Sequence, residues 1–191
     1  MNIMSILKIV KKFYIVSFFL VLCSQWEEEN IYDFLPLEPG RYWKYTSGEE
    51  EEIWKILRDT IIEGISCRII RKGIVEEFWA IGEKDLSLYV ERDTNKFGVV
   101  DEVYKGFVKL IELPLLEGRT WGDTLLSKDG EESFILIGRV MKEKNRVWEL
   151  EYQVFDMGEE RFCKLWLEKN KGFIKRLEDN KEWILVETGV E

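Results

Sequence analysis

Apolar and polar side chains alternate in short runs along most of the chain. In Arg146–Val154 (RVWELEYQV) every second residue is apolar. Because successive side chains of a β-strand point to opposite faces, this run predicts a strand with one buried and one solvated face. Its inward residues are then Trp148, Leu150, Tyr152 and Val154. Similar runs predict strands at Tyr42–Thr46, Glu52–Asp59, Ile65–Arg71, Ile74–Ile81, Leu86–Glu91, Phe107–Leu113, Ser133–Met141, Arg161–Glu168, Gly172–Leu177 and Trp183–Glu187.

Short turn sequences separate these runs. They include Glu63-Gly64, Lys72-Gly73, Lys144-Asn145 and Asp179-Asn180. Strands joined by such short turns form consecutive antiparallel hairpins. We therefore expect an all-β fold, a meandering antiparallel sheet that is strongly curved or closed into an open barrel. No segment after residue 30 shows a helical period over three turns, although Val99–Lys109 is the weakest strand prediction and a short helical turn is the alternative there.

The N-terminus has the pattern of an export signal. A basic lead-in precedes the apolar run Phe13–Leu22, which is too short to cross a bilayer of about 30 Å as a helix. The segment around Cys23 resembles the lipobox of bacterial lipoproteins, although Leu22 stands where that motif has Gly, Ala or Ser. The prediction is a signal peptide over 1–22, lipidation of Cys23, a tether over 23–33 and a single β domain over 34–191. Cleavage after Ser24 and an uncleaved anchor using Ile3–Leu22 are the alternatives; all three place the domain outside the cytoplasm, in the cell envelope.

One motif, L-P-L-x-x-G-R-x-W, occurs twice with an offset of 78 residues. Proline keeps the preceding leucine extended, glycine permits a turn with positive φ, and tryptophan fills the core at the start of the next strand. Each copy is therefore predicted to be a structural corner that starts a group of strands, with 34–112 and 113–191 as two halves of similar length. A duplication and one corner used twice within a single domain are the alternatives, because the halves align poorly outside the motif. The motif residues are Leu35, Pro36, Gly40 and Trp43 in the first copy and Leu113, Pro114, Gly118 and Trp121 in the second.

These motifs resemble those of a loose group of exported bacterial proteins, mostly uncharacterised lipoproteins. Its members follow the export signal with L-P-L-x-x-G-x-x-W-x-Y, which corresponds here to Leu35 through Tyr45, and repeat the motif in mid-chain. A closing element of the group corresponds to Trp166 through Gly172-Phe173-Ile174-Lys175. The resemblance implies a β-rich envelope domain without a defined activity.

Charge and composition exclude several classes of function. The net charge is −9, and such a surface repels phosphate backbones, so nucleic acid is not an expected partner. The chain has no histidine, which excludes Ser-His-Asp and Cys-His catalysis and histidine-ligated metals. No phosphate-binding or nucleophile motif is present, and the clustered glutamates are typical of solvated turns and strand edges. We therefore predict no enzymatic activity, no cofactor and no metal site. The alternatives are an enzyme that uses Asp, Glu, Lys, Tyr or Cys side chains in a cleft, and a calcium site at Glu49–Glu52, which lacks the alternating Asp and Asn ligands of a calcium loop.

Two cysteines remain after Cys23. Cys67 and Cys163 stand in alternating apolar runs, and small buried thiols are expected ahead of a disulfide between them.

Aromatic residues leave two functional hypotheses. The eight tryptophans are expected mainly in the core, including Trp43, Trp121, Trp148 and Trp166. A filled core favours an interaction or structural module of the envelope with a protein partner. If the sheet encloses more volume than its side chains fill, the domain is instead a carrier or sensor of a hydrophobic ligand. Abundant Glu, Lys and Ile with two glutamines also predict a thermostable protein.

Overall fold

The computed structural model describes residues 29–96, 99–127, 130 and 133–191. This part of the chain forms one short helix, α1 (Ile31–Phe34), and a series of strands. The strands are β1 (Arg41–Ser47), β2 (Glu50–Ile62), β3 (Ile65–Lys72), β4 (Val75–Ile81), β5 (Asp85–Lys96), β6 (Val99–Glu112), β7 (Thr120–Leu126), β8 (Ser133–Lys144), β9 (Val147–Asp156), β10 (Glu159–Glu168), β11 (Gly172–Glu178) and β12 (Lys181–Val190).

All twelve strands belong to one antiparallel sheet. Each strand pairs with the next along the chain, except that β6 and β7 are the two edges, and β12 returns to pair with β1. The strand order is therefore β7 to β12 followed by β1 to β6. The sheet curls into a nearly closed barrel in which β6 and β7 face each other. The predicted all-β, meandering antiparallel fold is confirmed.

Side chains rather than a backbone ladder close the barrel between β6 and β7 in the described part of the chain. The backbone N–H of Lys109 on β6 donates to the Asp123 carboxylate on β7 at 2.6 Å. The hydroxyl of Tyr152 on β9 donates to the backbone carbonyl of Leu110 at 2.7 Å. Leu110 is the extra residue of a β-bulge, because Lys109 pairs with Ser87 and Ile111 with Leu86. The bulge and the two hydrogen bonds satisfy edge groups that would otherwise be free to pair with another strand.

The interior of the barrel holds a cluster of large apolar side chains. Alternation along β9 places Trp148, Leu150 and Tyr152 inside, as predicted. Glu149 and Glu151 lie on the outer face, where Glu149 is nevertheless only 9% exposed because Lys142 and Lys164 cover it. The largest fully buried side chains include Trp43, Trp54, Trp79, Tyr45 and Tyr152. Many of the rings meet edge to face; for example, the Trp54 and Trp79 ring centroids are 6.4 Å apart.

The N-terminal segment closes one end of the barrel. Ile31 and Phe34 of α1 and the following Leu35 and Leu37 are all at most 1% exposed. Asn30 caps α1, with its side chain accepting from the Tyr32 N–H and its own N–H donating to Asp33. The packed domain therefore begins before residue 34, and the predicted tether overlaps it. We call this end the α1 end.

The sequence patterns missed one strand and misassigned one tryptophan. Strand β7 (Thr120–Leu126) was not among the predicted runs, because Gly122 and Asp123 interrupt its apolar alternation. The strand prediction at Val99–Lys109 is confirmed, because these residues belong to β6. Trp166 lies between the buried Leu165 and Leu167 and so points outward, beneath Lys175 at 4.7 Å, instead of into the core.

Candidate functional site

The predicted lipidation residue, Cys23, and the predicted signal peptide over 1–22 lie outside the described residues. The described chain begins at Glu29, at the α1 end. Its backbone carbonyl accepts a hydrogen bond from Lys84 Nζ at 3.0 Å, and the Ile31 N–H donates to the Glu83 carbonyl at 3.1 Å. The start of the described chain is thus fastened to the turn between β4 and β5.

The two copies of the repeated motif adopt the same turn. Gly40 and Gly118 have φ angles of 85° and 82°, in the region that favours glycine. Gly40 N–H donates to the Ile56 carbonyl and Gly118 N–H donates to the Val140 carbonyl, both at 2.9 Å. Directly after Ile56 the pairing of β2 with β3 shifts its register, and directly after Val140 the pairing of β8 with β9 does the same. The copies therefore occupy corresponding corners, at the starts of β1 and β7.

The leucines and prolines of the motif belong to the α1 end. Leu35 and Leu113 are buried, whereas Pro36 is half-buried and Pro114 is exposed. The Leu113 N–H donates to the Lys84 carbonyl at 2.7 Å, so the second copy meets the β4–β5 turn, to which Ile31, shortly before the first copy, is also bonded. These residues hold the end of the barrel together and present no reactive group to solvent.

Each motif tryptophan packs against a glycine. A Cβ atom placed on Gly138 would lie 2.4 Å from Trp121 Cε2, and one placed on Gly172 would lie 3.1 Å from Trp43 Nε1. Trp43 Nε1 also donates to the Lys171 carbonyl at 2.7 Å, and the Tyr45 hydroxyl donates to the Phe173 carbonyl at 2.8 Å. The predicted role of both tryptophans is packing, and this is the role their surroundings support.

A second cluster, which the sequence analysis did not identify, closes the opposite end of the barrel. Its centre is Arg176 on β11, which is 4% exposed. Its Nη2 lies 2.6 Å from Glu52 and its Nη1 lies 2.7 Å from Glu178. The guanidinium carbon is 4.6 Å from the Trp183 ring centroid and 4.9 Å from that of Trp54. We call this end the Arg176 end; aromatic stacking and two carboxylates offset the burial of the charge.

Lys72 extends the cluster. Its Nζ lies 3.8 Å from the Trp54 ring centroid and 2.8 Å from the Glu77 carboxylate. The indole of Trp79 donates to the same glutamate at 2.8 Å. Each cation in this cluster therefore has both an aromatic and an anionic neighbour, an arrangement that fills the end of the barrel.

The outer surface of β3 to β6 carries an apolar row. It consists of Ile69, Phe78, Tyr89 and Phe107, one residue on each strand. Ring centroids are 6.4 Å apart between Phe78 and Tyr89 and 5.2 Å apart between Tyr89 and Phe107. The three aromatic residues are half-buried. We call these four residues the outer apolar row.

Two open hollows border the outer apolar row. One, of about 270 Å³, is lined by Ile65, Ala80, Ser87 and Phe107 among others. The other, of about 400 Å³, lies on the far side and is lined by Ile69, Leu57, Arg71 and neighbouring residues. The row and its hollows form a continuous uneven surface on the outside of the barrel.

The two described cysteines are free thiols. Cys67 is 2% exposed, as the prediction of a small buried residue expects. It pairs with Ala80 while its neighbour Arg68 pairs with the inward Trp79, so it lies on the outer side of the sheet. Cys163 is half-buried and points inward, where burial and the nearby Glu178 raise its pKa to about 12. Neither thiol is activated as a nucleophile needs to be.

Comparisons with protein-family models, with curated proteins and with solved structures find no match to this chain. Within the described residues, no group of acidic or cysteine side chains is arranged to hold a metal ion. The described part of the chain also contains no helix long and apolar enough to span a bilayer. The outer apolar row is the candidate site because its rings and the two hollows beside it form an apolar surface on the outside of the barrel.

Proposed function

We propose that this chain is a non-enzymatic domain of the cell envelope, exported and anchored by a lipid on Cys23, that binds another protein through the outer apolar row. The row is the observation that carries the proposal. Apolar rings on the outside of a soluble sheet are exposed to water unless a partner covers them, and such patches mark interaction sites. The exposed Ile65 at the tip of the β2–β3 hairpin extends the same surface.

The barrel interior supports a surface role over a carrier role. Interlocked aromatic rings occupy it, α1 closes one end and the Arg176 cluster closes the other. A ligand entering from the Arg176 end would have to separate Arg176 from Glu52 and Glu178. Loss of these charge-assisted hydrogen bonds opposes entry of an apolar molecule. The carrier alternative would need a large rearrangement of this end.

The surroundings of the row favour a protein as the partner. The ring planes of Phe78 and Tyr89 are inclined by 79°, so they do not form the flat platform on which sugars stack. Ion pairs border the row on both sides, Arg71 with Glu76 and Lys105 with Glu63. An apolar centre with a rim of mixed charge is the usual anatomy of a protein–protein interface.

The experiment is gentle extraction of the full chain, expressed with its own N-terminal segment, followed by native mass spectrometry of the intact assembly. The wild-type chain should be recovered bound to another protein. A Phe78→Ser, Tyr89→Ser double variant should be recovered without it, because both changes act on the outer face. Ile137→Ser is the matched control, since Ile137 is an exposed apolar residue on the outer face of β8, and this variant should keep the partner.

The proposal fails if the double variant keeps the same partner as the wild type, or if the wild-type chain is recovered alone. A parallel fractionation tests the anchor. Cys23→Ser should move the protein from the membrane to the soluble fraction, and unchanged membrane association would instead favour the uncleaved segment Ile3–Leu22.

A further inference from the structure

The two ends of the barrel differ sharply in charge. Three of the turns at the Arg176 end are strongly acidic: Gly48–Glu52 between β1 and β2, Asp156–Glu160 between β9 and β10, and Glu178–Glu182 between β11 and β12. Their exposed members include Glu49, Glu160 and Asp179. This end therefore carries a concentrated negative potential.

The α1 end is less acidic and carries two basic turns. The β8–β9 turn is Lys144-Asn145-Arg146 and the β10–β11 turn is Lys169-Asn170-Lys171. Several acidic side chains there have cationic partners; Lys171 lies 2.6 Å from Glu168 and Arg119 lies 2.9 Å from Glu112. Exposed Glu83 and Glu117 also belong to this end, so its potential is less negative than that of the Arg176 end.

Two exposed apolar side chains also mark the α1 end. Tyr32 projects from α1 with 50% of its surface exposed, and Leu116 in the second motif copy is 61% exposed. Exposed aromatic and aliphatic side chains suit the interface between a membrane and water.

The start of the described chain fixes which end can approach an anchor. Glu29 is held at the α1 end by Lys84. Glu29 is six positions after Cys23, and a fully extended chain over that distance reaches about 20 Å. A lipid on Cys23 would therefore keep the α1 end within about 20 Å of the membrane surface.

We infer that the α1 end, with Tyr32, Leu116 and the basic β8–β9 and β10–β11 turns, is the surface that docks on an anionic lipid bilayer, and that the acidic Arg176 end faces away. This inference rests on the anchor in the proposed function. Anionic headgroups attract the lysine and arginine side chains and repel the acidic turns, so charge and tether favour the same orientation. The outer apolar row then lies on the side of the barrel, accessible to a partner in the envelope.

The test uses spin labels on the full lipidated chain in vesicles of phosphatidylethanolamine and phosphatidylglycerol. Leu116→Cys reports the α1 end. Ile74→Cys, in the β3–β4 turn, reports the Arg176 end. Ile74 is the matched position to Leu116, because it is also an exposed apolar residue in a turn. The unsubstituted chain gives the background from Cys67 and Cys163. We expect collisions with a water-soluble nickel chelate to be several-fold fewer at residue 116 than at residue 74.

Equal accessibility at the two positions, or lower accessibility at residue 74, would overturn the orientation. Pelleting of the same vesicles separates this failure from failure of the anchor. If the protein pellets and the labels are equally accessible, the orientation alone is wrong. If the protein does not pellet, the proposed anchor is wrong, and the proposed orientation is then wrong as well.

Discussion

The indole of Trp43 lies against Gly172, so close that a Cβ atom on the glycine would be 3.1 Å from the indole nitrogen. Trp43 lies near the start of β1, whereas Gly172 is the first residue of β11. Their contact, with the hydrogen bond from Trp43 to the Lys171 carbonyl, connects the first motif copy to the C-terminal strands of the sheet.

We expect Gly172→Ala to be strongly destabilising. The added methyl group meets Trp43 and Leu35, and φ at residue 172 is 88°, so steric crowding and backbone strain add. Together they should lower the free energy of unfolding by about 2–4 kcal/mol. The measurement is urea-induced unfolding followed by tryptophan fluorescence.

Gly158→Ala is the control for backbone strain alone. Residue 158 has a φ of 84°, but a Cβ atom added there would have no other atom within 4 Å. Gly158→Ala should lower the free energy of unfolding by about 1 kcal/mol. Equal losses in the two variants would mean that the packing of Trp43 on Gly172 contributes nothing.

Arg176→Met should lower the free energy of unfolding by about 2–4 kcal/mol, because Glu52 and Glu178 lose a buried cationic partner and three aromatic rings lose a stacking contact. Arg71→Met is the control. Its ion pair with Glu76 is exposed, so the loss should stay below about 1 kcal/mol. Thermal and urea unfolding of both variants measure the difference, and a change at Arg176 no larger than that at Arg71 would contradict the role of the cluster.

Glu149 should make stability depend on pH in the acid range. Burial raises the pKa of its carboxyl, but hydrogen bonds and attraction from Lys142 and Lys164 outweigh burial and hold the pKa below its usual value. A carboxyl whose pKa is lower in the folded protein stabilises it above the unfolded pKa of about 4.3, and this contribution is lost as the pH falls through the folded pKa. Glu149→Gln should therefore be destabilising near pH 7, by about 1–3 kcal/mol, and nearly neutral at the lowest pH.

Glu159→Gln provides the comparison for that pH series, because the Glu159 side chain is 76% exposed. Its unfolding free energy should follow the wild-type value at every pH. A constant difference between Glu149→Gln and wild type from pH 7 to pH 2 would disprove the ionic account of Glu149.

Cys163 should react slowly with alkylating reagents in the folded protein. Burial, followed by the negative charge of Glu178, raises its pKa to about 12, so little thiolate forms at pH 8. In a Cys67→Ser background, labelling of Cys163 should accelerate many-fold when urea unfolds the chain. Labelling of the native protein as fast as that of the unfolded chain would show that the Arg176 end opens readily.

Calorimetry of the melting temperature tests the predicted thermostability. We expect a melting temperature above the range of about 45–65 °C typical of mesophilic domains. Outer-face networks such as Lys142–Glu149–Lys164–Glu151 are consistent with this expectation, since ion-pair networks become more favourable as temperature rises. A midpoint within the mesophilic range would contradict it.

The sequence was most informative where alternation and turn residues agreed. Arg146–Val154 combines strict alternation with a Lys144-Asn145 turn, and β9 has the predicted inward residues. Strand β7 was not predicted, because only the fold shows why Gly122 and Asp123 stand in a strand. A Cβ atom on Gly122 would lie 2.8 Å from the Leu136 carbonyl oxygen, and the Asp123 carboxylate accepts a hydrogen bond from the Lys109 N–H across the gap between β6 and β7.

The candidate site was harder to predict than the fold. The outer apolar row joins residues from four strands, and Phe78 and Tyr89 become neighbours only through sheet registration. In a linear sequence each of them looks like one more apolar residue of an alternating run. The Arg176 cluster was missed for the same reason, because Glu52 and Arg176 are separated by 124 residues.

In the proposed function the barrel is filled and the domain works through its outer surface. Native mass spectrometry of the gently extracted protein, compared before and after denaturation, tests it most directly. We predict that the protein subunit carries no additional small-molecule mass beyond its covalent lipid. An apolar molecule that accompanies the folded chain and leaves on denaturation would contradict the claim and establish the barrel as a carrier.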